Sequence, residues 1–131
     1  MRKAIALTAL SAALLAVFAC KNDRAPSITS TTGAGIVTTI DAVDHLTARR
    51  CDHEIDCNNV GLGKRYDDRG GCEREIAHDL QEELGPTTCG NGIREERFDE
   101  CMAAIRKESC GNPLDGLSKI ASCRPSRLCI N

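Results

Sequence analysis

The apolar positions along the chain change their pattern twice. Ala4 to Phe18 is a predominantly apolar run of 15 residues, and from Lys21 the sequence turns abruptly polar. From about Thr39 the apolar residues recur at intervals of three and four. Ile40, Val43, Thr47, Cys51 and Ile55 predict one face of a helix running from Thr39 to about Asn58, with Asp41 and Asp44 near the start, where the helix dipole favours acids. Cys72, Ile76, Leu80 and Leu84 are each four apart and predict a second helix, closed by Gly85 as a C′ glycine and Pro86 as a breaker. Phe98, Cys101 and Ile105 mark a third helix from Arg94 to Glu108, with Arg106 and Lys107 suitably placed in its last turn. Asn112-Pro113 reads as an N-cap followed by proline at N1. Asp115 sits at N3, and Leu114, Leu117, Ile120 and Ala121 form the apolar stripe of a fourth helix from Pro113 to Ala121. No stretch alternates β-branched and polar residues as a strand would. The expected class is all-α, a small bundle of about four short helices.

Composition decides how such a bundle can hold together. The chain has 131 residues, with two phenylalanines, one tyrosine and no tryptophan, so it has room for one small domain and little aromatic mass for its core. It also has nine cysteines. Eight of them, Cys51, Cys57, Cys72, Cys89, Cys101, Cys110, Cys123 and Cys129, lie on apolar helix faces or beside helix ends, where disulfides can tie helices together. Eight cysteines allow 105 pairings, and sequence does not choose among them. Cys57 and Cys72 flank one loop, so their pairing is the one expected from proximity, contributing about 3 kcal/mol in the chain-entropy model. The formal net charge of −2 becomes two units more negative once Arg2 and Lys3 leave with a signal peptide. A mildly acidic chain with interspersed signs excludes nucleic acid as a partner.

The N-terminus reads as an address. Met1-Arg2-Lys3 is a basic start, the apolar run to Phe18 is shorter than the roughly 20 residues of a membrane span, and Ala19 precedes Cys20. Val17 to Cys20 resembles the lipobox of bacterial lipoproteins, whose cysteine becomes the lipid-bearing first residue; Phe18 departs from the small residue usual at that place. Parity of the cysteines agrees, because lipidation of Cys20 leaves an even number to pair. The resemblance implies a signal peptide over residues 1–19 and anchoring to the cell envelope, with Lys21 after the cysteine pointing to the outer membrane, facing the periplasm. Residues 20–38, rich in Ser, Thr, Gly and Ala, are then a flexible tether, and 39–131 a cysteine-rich domain.

Candidate chemistry is sparse. No Cys-x2-Cys or Cys-x4-Cys knuckle is present, so neither a zinc site nor a thioredoxin-like redox pair is expected, and no cofactor is implied. Asp52 to Asn58 imitates a calcium loop but carries Cys57 where the loop needs glycine and Gly63 where it needs glutamate. Gly61, Gly63, Gly70 and Gly71 bracket a stretch without phosphate-loop spacing, expected to be a mobile loop. His45, His53 and His78 stand near no recognisable nucleophile, so no catalytic residue is assigned and solvated histidines are expected. The alternative is a small periplasmic hydrolase using His78 or His53 with a neighbouring carboxylate.

The order Arg50-Cys51, Cys57-Asn58-Asn59, Tyr66, Cys72, Cys89-Gly90-Asn91-Gly92, Cys101-Met102, Cys110-Gly111-Asn112-Pro113-Leu114, Cys123 and Cys129 resembles small cysteine-rich bacterial lipoproteins of unknown function associated with natural-product biosynthesis. That resemblance implies a membrane-anchored binding or accessory module with an envelope protein as possible partner. It carries over no functional residue except Cys20.

Overall fold

The computed structural model describes residues 35–111 and 119–131. It contains a short strand β1 (Ile36–Val37), helices α1 (Thr39–Asp56) and α2 (Arg69–Leu84), a second short strand β2 (Ile93–Arg94), helix α3 (Glu95–Lys107), a 3₁₀ turn at Ala121–Cys123 and a one-turn helix α4 (Pro125–Leu128). The protein is a small, disulfide-stapled, mostly helical bundle, as the periodicity predicts. The expected fourth helix, Pro113 to Ala121, falls largely outside the described residues, as do the signal peptide and Cys20.

Each of the first two helices begins and ends for a local reason. Thr38 caps α1, its Oγ1 accepting the Asp41 N–H at 3.1 Å and donating to Asp41 Oδ2 at 2.6 Å. At the other end Asn58 takes the left-handed conformation (φ 59°). The N–H groups of Asn58 and Asn59 return to the carbonyls of Ile55 and Glu54, both at 2.9 Å, which is a Schellman closure. Asp68 caps α2 by accepting the Gly71 N–H at 2.6 Å. Gly85 ends α2, but not as the left-handed C′ glycine expected: its backbone is extended (φ −61°, ψ 179°). Glycine is needed there because a Cβ would overlap the Gln81 carbonyl oxygen.

The buried stripe of α2 is the predicted one, Cys72, Ile76, Leu80 and Leu84. That of α3 is likewise Phe98, Cys101 and Ile105. On α1 the stripe is rotated from the expectation. Ile40 is 72% exposed and Ile55 is exposed too, while Ala42, Val43, Leu46, Thr47, Arg50, Cys51 and Glu54 are buried. The face turned to the core therefore includes a guanidinium and a carboxylate, which a hydrophobic pattern assigns to solvent.

Two further corrections concern short backbone pairings outside the helices. Val37 and Ile93, Ile36 and Arg94 pair in an antiparallel two-stranded sheet, extended by a bridge between Ile93 and Cys129. Val37 is buried, so residues 36–37, which the sequence reading places in the tether, pack with the helical domain. Strands of two residues are too short to show alternation. The stretch read as a mobile loop is an ordered turn from Gly61 to Asp68, with Gly70 and Gly71 in the first turn of α2: Val60 and Tyr66 form a parallel bridge, with Gly61 N–H to Tyr66 carbonyl at 2.8 Å and Tyr66 N–H to Asn59 carbonyl at 3.1 Å. The buried Tyr66 ring anchors it.

All eight cysteines of the domain are paired: Cys51–Cys72, Cys57–Cys110, Cys89–Cys129 and Cys101–Cys123. The expected Cys57–Cys72 bridge does not form. α1 and α2 pack with Cys51 facing Cys72, their Cα atoms 5.9 Å apart, while Cys57, beyond the last turn of α1, faces the end of α3. With Phe98, Leu46, Leu80, Leu84 and Ile105, six of these cysteines form the core, each at most 2% exposed. A domain of this size gains from such bridges what apolar area alone does not supply, typically about 3 kcal/mol each.

Candidate functional site

Two clusters of ionisable groups stand out, one buried and one at the surface. The buried one lies where α1 meets the Asn59–Tyr66 turn. Glu54 Oε2 accepts the Asn59 side-chain amide at 2.7 Å, and its Oε1 is 4.0 Å from Arg65 Nη1. The Arg65 guanidinium in turn lies 5.2 Å from the centre of the Tyr66 ring. Arg50, one turn before Glu54, is buried as well. Removal from water pulls its guanidinium below the ordinary arginine range, opposed by Tyr66, Glu83, Glu54 and Asp79. Burial also pushes the Tyr66 phenol above its ordinary value, with Arg65 acting against the shift. This knot fastens a turn to a helix; the charges are engaged with one another.

The surface cluster is at the same, C-terminal end of α1. His53 and Cys57 are four residues apart on one helix, so a single turn sets the imidazole beside the sulfur. Nε2 and Nδ1 lie 3.6 and 3.8 Å from Cys57 Sγ. Nε2 also lies 3.0 Å from the carbonyl oxygen of Glu108, at the end of α3. A carbonyl only accepts, so the proton sits on Nε2 and the lone pair on Nδ1. Cys110, bonded to Cys57, is exposed, and Cys57 is half-buried. The ligand-type atoms of His53, Cys57 and Cys110 all lie within 4.8 Å of one another. In the oxidised state the two sulfurs are bonded to each other and offer no thiolate to a metal.

The remaining histidines do not join a constellation. His78 stands on the open surface of α2, its side chain 71% exposed, 3.8 Å from Asp79 and 4.0 Å from Glu82. His45 is half-buried on α1. The partner of His53 is a backbone carbonyl rather than the carboxylate the hydrolase alternative asks for. Asp52, read as part of a calcium-like loop, instead pairs with Arg69 at 2.8 Å. The His53–Cys57 neighbourhood is the feature that solvated histidines did not anticipate; the signal for it was the four-residue spacing.

Four disulfides fit folding in an oxidising compartment outside the cytoplasm. Among the described residues no helix is long and apolar enough to cross a membrane. No curated protein and no solved structure matches the chain. Residues 51–131, which hold all eight paired cysteines and well over half of the sequence, match the Family of unknown function (DUF6184), and the chain belongs to that family.

Proposed function

We propose that this chain is a lipid-tethered module of the cell envelope that binds or assists rather than catalyses. Cys20 carries the lipid, the sequence up to the domain serves as a tether, and the stapled bundle works at the periplasmic face of the outer membrane beside an envelope protein. The observation that carries this reading is the complete pairing of the eight domain cysteines, which leaves Cys20 as the one cysteine outside the framework. Two or more acyl chains on that residue would hold the protein to a bilayer durably, where one chain holds it marginally. The arrangement of ionisable groups supports a non-catalytic role, since the buried knot is spent on fastening a turn. The cysteine order adds natural-product assembly or export as the setting.

The test is fractionation with mass spectrometry of the N-terminal peptide. The protein is expected in the membrane pellet with a lipid adduct on Cys20, and Cys20→Ala is expected in the soluble fraction with an unchanged melting temperature. A Cys20→Ala protein still in the pellet overturns the anchor.

A further inference from the structure

Of the four disulfides, Cys57–Cys110 differs in its surroundings. The cysteines of the other three are in the core, at most 2% exposed. Cys110 is exposed and Cys57 half-buried, so a reductant in solution reaches this bridge without opening the fold. It links the C-cap residue of α1 to the segment after α3, and the two helices also pack directly against each other. Cys51–Cys72 would still hold α1 to α2, and Cys101–Cys123 would still hold α3 to the C-terminal turn.

We propose that Cys57–Cys110 is the reducible bridge of the four and that its dithiol form, together with His53, is a binding site for one zinc ion. The opening step is thiol–disulfide exchange with an external dithiol. That reductant gives up two electrons and leaves as its own disulfide, the Cys57–Cys110 bond breaks, and each sulfur takes a proton. Zinc then binds both sulfurs as thiolates and displaces those two protons into solvent.

The three donor residues already stand together, their ligand-type atoms within 4.8 Å of one another. Zinc–sulfur bonds of about 2.3 Å and zinc–nitrogen bonds of about 2.0–2.1 Å set tetrahedral ligand atoms N and S about 3.6 Å apart; Nδ1 and Nε2 lie 3.8 and 3.6 Å from Cys57 Sγ, so the sulfur sits beside the ring and, once freed, has to rotate toward the Nδ1 lone pair. The bond from Nε2 to the Glu108 carbonyl is the outer contact that zinc-bound imidazoles make, fixing the ring and leaving Nδ1 as the ligand. Once unbonded, the sulfurs need only side-chain rotation to separate, with their Cα atoms 5.2 Å apart. The C-terminal end of α1, where last-turn carbonyls carry partial negative charge, favours a cation there. Three protein ligands and an exposed edge leave the fourth position to water.

The experiment uses the full chain, purified oxidised and treated with a limiting amount of dithiothreitol under argon. Thiols are trapped by alkylation and mapped by peptide mass. Cys57 and Cys110 are expected to be labelled first, with the other three bridges intact in the same digest. The opened protein is then titrated with cobalt(II), read by thiolate-to-cobalt charge-transfer absorption, and with zinc(II) as competitor. One equivalent is expected to bind. His53→Gln should open at the same bridge yet bind cobalt at least about tenfold more weakly, and Cys110→Ser should show no two-thiolate spectrum. First labelling of another pair, an opened protein with no charge-transfer band, or a His53→Gln variant binding as tightly as the parent would each overturn the proposal. All of these readouts are independent of whether Cys20 carries lipid.

Discussion

The side-chain amide of Asn59 donates to Glu54 Oε2 at 2.7 Å, across the end of α1, and so completes a buried carboxylate that the helix itself places in the core. The same residue supplies the backbone N–H that closes the helix on the Glu54 carbonyl. One asparagine thus satisfies both the side chain and the main chain of one glutamate.

Asn59→Ala is expected to lower stability by about 2 kcal/mol, the cost of removing a hydrogen bond to a buried charged group. Arg65→Ala should cost less than about 1 kcal/mol, because its 4.0 Å pairing with Glu54 is partly solvated. Urea midpoints of the two variants decide the order, and an equal or inverted effect would show that Arg65 rather than Asn59 holds the carboxylate.

Reading Glu54 and Arg50 from sequence fails for a definite reason. Periodicity counts apolar residues, and on α1 it selects Ile40 and Ile55, which face solvent, over two charged residues that face the core. On α2 the buried face is wholly apolar, so Cys72, Ile76, Leu80 and Leu84 are legible as they stand. The β1–β2 pairing leaves no trace in a pattern because two residues cannot alternate. Disulfide partners are long-range facts: Cys57 lies nearer in sequence to Cys72 but bonds to Cys110, 53 residues on. The approach of His53 to Cys57 is local, and the four-residue spacing that produces it is legible in the sequence.

The β1 strand offers a second test, since it packs residues ahead of α1 against the domain. Val37→Ala should cost about 2 kcal/mol through the cavity it leaves beneath the sheet. Gly92→Ala should cost about 1–3 kcal/mol, because Gly92 has φ 92° and a Cβ there would sit 2.8 Å from Ile36 Cγ2 and 3.2 Å from the Val37 carbonyl oxygen. Calorimetric melting reads both. An unchanged melting temperature in Val37→Ala would show that β1 adds nothing to the stability of the domain.

Tyr66 makes the alkaline limb of stability predictable. Its buried phenol titrates above the ordinary tyrosine value of about 10 shown by the unfolded chain. Below that pH both states keep the proton and the group adds no pH dependence. Above it the unfolded chain releases its proton first, so stability falls with rising pH until the folded phenol also ionises. Tyr66 is the one tyrosine in the sequence, and tyrosinate absorbance therefore follows it alone. The folded protein should titrate at higher pH than the protein in urea, and Tyr66→Phe should lose the alkaline slope. Coincident titration curves would place the ring in water.

The order of the four bridges also governs how the domain answers a mechanical load. Cys57–Cys110 interlaces with each of the other three, and Cys101–Cys123 is nested inside Cys89–Cys129. A pull on the chain ahead of Gly35, against the C-terminus, first meets the two residue pairs of the β1–β2 ladder, then draws out α1 as far as Cys51. From there the tension crosses to Cys72 and from Cys89 to Cys129, so only the stretch between Cys72 and Cys89 remains to be extended. While those two covalent links hold, the domain yields a short length of chain under force and then becomes taut.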